Sequence, residues 1–342
     1  MIFVGAAIIG ATASTAVASA SAATIKEAGS SLVFPLAQIW SKSYTANIVT
    51  TSSVGSGKGI NLFQLGQVDI GASDAPMTSS QWSAVKASTP SDTVQIPWAL
   101  SATGIGYNIP GIKSGLHLNA TILAGIFSGT IKKWNDKQIV KINQNFKKQL
   151  GKAGAINPIV RSDGSGDSYA FQHYLAVAAP KNWKYSYSTS WGSPAGTGQN
   201  GNSGVAGAVK SNPGSIGYIS AYYLITQKIS TAAVQNLAGN FELPGLANIS
   251  NAAASNSKLT AQGASFTGVS IVNPAKKYKT AYPISTYTYA IVNSKSSNIA
   301  AVKDFLTWAT SATGGLNKGT QLDFAPIPSG MQKTIHNLIN SL

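Results

Sequence analysis

From residue 24 onward, short apolar runs of strand length alternate with stretches whose apolar residues recur at helical spacing. Residues 24–28 predict a strand. Residues 36–44 predict a helix with Leu36, Ile39, Trp40 and Tyr44 on one face. The β-branched run 47–52 predicts a second strand, 60–65 a helix and 68–73 a third strand. This repeated order of strand, loop and helix is the pattern of α/β units around a partly parallel sheet. A second block opens near Ile96-Pro97 and contains an apolar strand at 105–109. Apolar runs follow at 123–127 and 131–134, and Ile159-Val160 leads straight into Arg161. Residues 169–177 read as a helix, 196–207 as a polar glycine-rich loop and 214–219 as a short strand. Residues 236–266 read as an irregular helical insertion, 282–292 as a long strand, and 299–310 and the stretch from Met331 as closing helices. No repeat of solenoid period is present.

Composition adds compartment and partners. A chain of 342 residues with a 44% apolar share is comfortable for two domains. It carries only ten carboxylates and a net charge of +15. The lysines are scattered, with adjacent pairs only at Lys132-Lys133, Lys147-Lys148 and Lys276-Lys277, so no nucleic-acid partner is expected. A surface poor in carboxylates also suits an acidic medium, where paired carboxylates would lose their partners by protonation. Cysteine is absent, which excludes disulfides, thiolate metal sites, thiol nucleophiles and a lipid anchor on an N-terminal cysteine. The three histidines, His117, His173 and His336, have no metal-ligand spacing, and no cofactor is expected. Residues 1–23 form an apolar stretch that ends in small residues, with cleavage after Ala20 or Ala23, although the usual positive n-region is missing. Beyond Gly10 the run is too rich in serine and threonine to span a bilayer, so export as a soluble extracytoplasmic protein is expected.

The candidate chemistry starts from one residue. Of 25 basic residues, 24 are lysine, and the sole arginine opens Arg161-Ser-Asp-Gly-Ser-Gly-Asp-Ser168. A guanidinium presents five donors in a rigid fork that fits an oxyanion, whereas lysine is a mobile point charge. Three glycine- and serine-containing loops, at 30–34, 55–59 and 161–168, fall where strands end and helices begin, the position at which backbone N–H groups bind anions. Gly55-Ser-Gly-Lys-Gly59 does not complete a nucleotide-triphosphatase loop. For Asp163 a turn role and for Asp167 an N-cap role are the common alternatives to ligand contact. Turned towards a ligand, Asp167 would instead accept a proton from it.

Taken together, these segments resemble the extracytoplasmic phosphate-binding proteins that feed the high-affinity phosphate ABC transporter. The motifs are Gly29-Ser-Ser-Leu-Val-Phe-Pro35, Gly55-Ser-Gly-Lys-Gly-Ile60, Val68-Asp-Ile-Gly-Ala-Ser-Asp-Ala-Pro76 and Arg161-Ser-Asp-Gly-Ser-Gly166. Ile126-Phe-Ser-Gly-Thr-Ile-Lys-Lys-Trp-Asn-Asp136, Pro213-Gly-Ser-Ile-Gly-Tyr218 and Tyr282-Pro-Ile-Ser-Thr-Tyr287 extend the match along the mature chain. The resemblance implies an α/β periplasmic-binding-protein fold of type II, with two lobes joined by a hinge and the ligand cleft between them. Residues 24–98 and 281–342 would form lobe I and 99–280 lobe II. It implies phosphate contacts at Val33, Phe34, Ser56, Asp74, Arg161, Ser165, Gly166 and Asp167, with Asp163 orienting the arginine and Ser31 in support. The family's hydroxyl residue in the first loop is Val33 here, which leaves its backbone N–H unless Ser30 or Ser31 substitutes. At Asp167 the commoner residue is threonine. A monomeric, non-enzymatic binder of inorganic phosphate is expected, located in the periplasm and partnered by the transmembrane permease. Asp74, an acceptor only when ionised, would favour an anion that still carries a proton over fully ionised sulfate, but arsenate has the same shape and proton count. The competing reading is a secreted phosphatase-type enzyme, for which neither a metal cluster nor an activated nucleophile is evident.

Overall fold

The computed structural model describes residues 22–85, 92–256 and 270–342. Residues 1–21 of the expected leader at 1–23 and residues 257–266 of the expected insertion lie outside the described residues.

The first three strands each lead into a helix. β1 (Thr24–Gly29) precedes α1 (Phe34–Ser43), β2 (Ile48–Ser53) precedes α2 (Ser56–Gln64), and β3 (Ile70–Ser73) precedes the short α3 (Ser79–Ser83). β1 lies between β2 and β3 and runs parallel to both. β4 (Thr93–Tyr107) is fifteen residues long and buried throughout. Then come β5 (His117–Leu118), α4 (Ala120–Phe127), α5 (Lys137–Ile142), α6 (Lys147–Lys152), β6 (Asn157–Arg161) and α7 (Gly166–Ala178). They are followed by β7 (Thr197–Gln199), α8 (Gly201–Ser211), β8 (Ser215–Ser220), α9 (Ala221–Thr226) and β9 (Ser230–Thr231). β10 (Ala233–Gln235) with β11 (Phe241–Glu242) and β5 makes a small separate sheet. α10 (Leu246–Ala253), β12 (Ser285–Asn293), α11 (Ile299–Ala309), α12 (Leu316–Gly319) and α13 (Ser329–Asn340) complete the chain. Among the described residues, no helix is long and apolar enough to cross a membrane.

The main sheet has nine strands in the order β2-β1-β3-β12-β4-β8-β6-β7, with β9 also on β4. Its two halves meet inside one strand. β4 pairs antiparallel with β12 up to Ala102 and with β8 from Thr103 onward. The expected strand at 105–109 is thus the end of a longer one. Pro97 does not break it, because the β4–β12 register shifts between Thr288 and Tyr289 beside that proline, and a bulge tolerates the missing N–H.

Each half has an aromatic core. In the first, the Trp40 and Trp98 rings lie 5.1 Å apart with Phe305 against both, and Trp40 Nε1 donates to the Gly315 carbonyl at 2.9 Å. In the second, Phe171 of α7 packs on Phe127 at 4.8 Å and on Tyr218 of β8 at 5.0 Å. The Tyr218 hydroxyl accepts from the Arg161 backbone N–H at 2.9 Å, so this core also anchors the end of β6.

Two expectations need correction. Residues 196–207 are not a loop but β7 and the first part of α8. The glycines hid a helix whose Val205, Ala206 and Val209 are buried on one face. The apolar run 123–127 lies in α4, whereas 131–134 contributes only an isolated bridge from Lys133 to Ala155.

Glu27 sits in β1 with 3% of its surface exposed, and its Oε2 has no hydrogen-bond partner. Burial raises its pKa from 4.5 to about 8, opposed by a backbone hydrogen bond from Ser52. Below pH 4.5 the group is neutral folded or unfolded. As pH rises from there the unfolded chain ionises first, so this contribution to stability falls until the folded group ionises near 8. Glu27→Gln is expected to remove about 1.4 kcal/mol per pH unit from the slope of stability against pH in that window. Urea unfolding of both proteins at several pH values measures the difference, and parallel curves would refute it.

Candidate functional site

Parallel strands direct their carboxyl ends, and the loops that follow, to one edge of a sheet. Here β1 ends at Gly29, β2 at Ser53 and β3 at Ser73, while β6, which runs antiparallel to them in the other half, ends on Arg161, so the carboxyl ends of the two sets meet where β4 passes between the halves. α1, α2 and α7 begin directly after three of these strands, so three helix N-termini face the same region. By helix geometry the N–H groups of Gly166 and Asp167, in the first turn of α7, have no intrahelical acceptor. Ser165 caps α7 by accepting from the Ser168 N–H at 3.2 Å.

Arg161 is 2% exposed, and three of its five N–H groups are engaged. Nε donates to Asp163 Oδ1 at 2.7 Å, Nη2 to Asp163 Oδ2 at 2.5 Å and Nη1 to Asp167 Oδ2 at 3.0 Å. Asp163 also accepts from the Gly201 N–H at the start of α8, 3.1 Å away. Burial would raise the Asp163 carboxyl, but the Arg161 hydrogen bonds and charge outweigh it and hold the pKa below the usual carboxylate range.

Asp167 is not an N-cap, since that role belongs to Ser165. Its carboxylate is 1% exposed and held by Arg161, by Thr103 Oγ1 at 2.7 Å and by Asn202 Nδ2 at 2.7 Å. Asn202 in turn donates to Ser31 Oγ at 3.0 Å and accepts from the Ser220 N–H at 2.7 Å. A hydrogen-bond chain therefore runs from Arg161 through Asp167 and Asn202 to Ser31 in the opposite half.

Asp74 is the counterpart in the first half. Its Oδ2 accepts from Ser30 Oγ at 2.5 Å and Ser56 Oγ at 3.2 Å, and its Oδ1 from Thr288 Oγ1 at 2.7 Å. Burial raises its pKa to about 7, reinforced by the charge on Asp167 and opposed by the three hydroxyls. Asp167 is likewise raised, chiefly by burial, against the pull of Arg161. The cluster thus sets three carboxylates against one guanidinium.

Glycines let the halves touch. The Gly57 N–H donates to the Gly164 carbonyl at 2.9 Å across the interface. A Cβ on Gly166 would lie 2.4 Å from Asp74 Cβ and 2.8 Å from Ser56 Oγ, closer than real side chains approach.

The structure brings Ser31, Ser56, Asp74, Arg161, Asp163, Ser165, Gly166 and Asp167 together. Val33 and Phe34 differ: the Val33 side chain is fully buried in the core, its N–H donates to Ser30 Oγ at 3.4 Å, and the Phe34 N–H donates to the Ser30 carbonyl at 3.2 Å. The Ser30 hydroxyl of this loop donates to Asp74 Oδ2. Thr103, Asn202 and Thr288 were missed by sequence reasoning. Thr288 adjoins the quoted motif ending at Tyr287 and was within reach, whereas nothing local distinguishes Thr103 or Asn202. Among the described residues, no group of three or more histidine, aspartate or glutamate side chains is arranged to hold a metal ion. His117 stacks on Phe241 and His173 on Tyr187, both away from Arg161.

Residues 14–313 match the family model of the PBP superfamily domain. The phosphate-binding protein PstS of Xylella fastidiosa is 34% identical over 91% of this chain and 83% of its own length. The chain belongs to the PstS family of phosphate-binding proteins. Another relative in this family, the PstS of Haemophilus influenzae, is 33% identical over 92% of both chains. A solved phosphate-binding protein from Stenotrophomonas maltophilia shares the family fold, with a TM-score of 0.73 at 20% identity, covering 93% of this chain and 94% of its own.

Gly166→Ala is expected to hold the two halves apart, because its methyl group would collide with Asp74. Small-angle scattering should then give a larger radius of gyration than for the unsubstituted chain, and an unchanged radius would contradict the steric reading.

Proposed function

We propose that this protein binds inorganic phosphate between the two halves of its sheet, outside the cytoplasmic membrane, and delivers it to an ABC-type phosphate permease. The observation that carries this reading is the buried Arg161 fork, flanked by two carboxylates and facing the Ser56 and Asp74 loops, in a chain about one-third identical to phosphate-binding proteins. The halves act as lobes, divided where β4 leaves β12 at Ala102 and joins β8 at Thr103, four residues beyond the expected boundary between 98 and 99, and hinged there. Three of the five Arg161 N–H groups hold Asp163 and Asp167, which leaves two for phosphate. The Ser165 hydroxyl and the N–H groups of Gly166 and Asp167 add donors, and the Val33 and Phe34 N–H groups and the Ser56 hydroxyl join them on turning from Ser30 and Asp74 to the anion. Ser30 holds Asp74, and Ser31 holds Asn202, which bonds Asp167.

Asp74 fixes the protonation state. Phosphate near neutrality retains a proton, which Asp74 shares, while a fully ionised anion would face an unpaired buried carboxylate costing several kcal/mol. Asp167 adds a second demand. An anion entering beside three carboxylates and one guanidinium is favoured when the site or the ligand brings a further proton. Both raised carboxylates keep that proton at low pH and lose it as pH rises, so affinity is greatest in acid.

Two expectations follow from this reading. Arg161→Lys keeps the charge but loses the fork, and calorimetry should show phosphate binding weakened by at least about a hundredfold; near-normal binding would refute the assignment. Across pH 6 to 9, affinity is expected to fall as pH rises, by up to about tenfold per unit for each proton taken up on binding, and Asp167→Thr should make that fall shallower. An unchanged slope in the variant would exclude Asp167 from the proton balance. Titration with sulfate and arsenate separates phosphate from its rivals, and a phosphatase assay with and without divalent metal tests the enzymatic alternative.

A further inference from the structure

Seven of the 24 lysines fall within residues 132–152: Lys132, Lys133, Lys137, Lys141, Lys147, Lys148 and Lys152. Adjacent pairs alone understated this, because the fold gathers them on α5, α6 and the turn before them. All seven are exposed. None of their side chains forms an ion pair or hydrogen bond among the described residues. The one carboxylate of the segment, Asp136, is the N-cap of α5 and accepts from the Gln138 N–H at 2.8 Å. Between the two helices runs an open groove of about 350 Å³, lined by Lys137, Val140, Lys141, Gln144 and Lys147 among others. The ridge packs at the start of β6, through the Lys133–Ala155 bridge and the bond from the Ile156 N–H to the Lys132 carbonyl at 2.9 Å. Arg161 lies at the other end of that strand, about 15 Å away at ordinary strand rise.

We infer that this ridge is a docking surface for an anionic lipid bilayer. Exposed, unpaired lysines near an anionic membrane surface each contribute favourably and additively over short range. Lysine suits diffuse contact with many lipid phosphates, and the chain uses it here instead of the fork-forming arginine. Surfaces that track single-stranded nucleic acid add stacking aromatics, but within this segment Trp134 is fully buried and Phe146 half-buried. A lysine ridge remote from the cleft would hold the protein at a membrane while the cleft stays accessible.

Flotation of the full chain with vesicles of phosphatidylglycerol and phosphatidylcholine in equal parts tests this. Binding is expected to those vesicles and not to phosphatidylcholine alone, and to be reversed by salt. Substituting Lys137, Lys141, Lys147 and Lys148 together by Gln should weaken binding at least about tenfold. Substituting the exposed Lys42, Lys295, Lys318 and Lys333 together by Gln should leave it near that of the unsubstituted chain. Phosphate titration of both variants checks that the fold and the cleft are intact. The inference is overturned if anionic vesicles are not bound, if both quartets lose binding equally, or if the ridge lysines bind duplex DNA while vesicles are ignored.

Discussion

A guanidinium taken almost wholly out of water is the constraint around which the site is organised. Its burial is tolerable only because Asp163 and Asp167 grip three of its N–H groups, and each of those carboxylates is itself fixed by other parts of the chain. Asp163 leans on the start of α8, while Asp167 leans on β4 through Thr103 and on the opposite loop through Asn202 and Ser31. The Tyr218 hydroxyl holds the Arg161 backbone and also bonds Ser168 Oγ at 2.7 Å, so the aromatic core beneath α7 fixes the height of the fork. Loss of any of these supports would leave a buried charge without its full complement of partners, which costs more than the lost contact itself.

The opposing carboxylate, Asp74, is arranged on different principles. Among the described residues no cation touches it; three hydroxyls do, from β12, from the loop after β1 and from the start of α2. Neutral donors stabilise a charge only partly against burial, and for this reason Asp74 titrates near neutrality while Asp163 stays ionised. The same chain thus holds one carboxylate as a permanent anion and another as a proton-sharing group by choosing arginine or serine as the neighbour.

Most of the fold was readable because its apolar periods are strong where strands and helices are short and regular. The three oxyanion loops were readable because glycine beside serine at a strand end has few other uses. The glycine-rich α8 was not, since its helical state depends on packing Val205 and Val209 against Gly217 of β8, which no local pattern reports. Thr103 and Asn202 were invisible for a related reason. A polar side chain in a buried strand or on a helix is an ordinary feature until tertiary structure places it against Asp167. Asp167 itself was read as a choice between capping a helix and meeting a ligand, and its role as a second clamp on Arg161 emerged only when six residues of chain had been folded into one turn.

The placement of β12 has a consequence for how the protein is made. This strand lies between β3 and β4, yet it is encoded at residues 285–293, long after both. A chain emerging from its N-terminus therefore holds β1 to β3 on one side and β4 on the other, with the gap between them unfilled until nearly the last sixth of the sequence arrives. Pairings of such long sequence separation form slowly, and domains built from them stay incomplete during synthesis. A keystone strand near the C-terminus therefore delays the compact state until most of the chain has been made, and, for a chain exported as proposed above, until most of it is across the membrane.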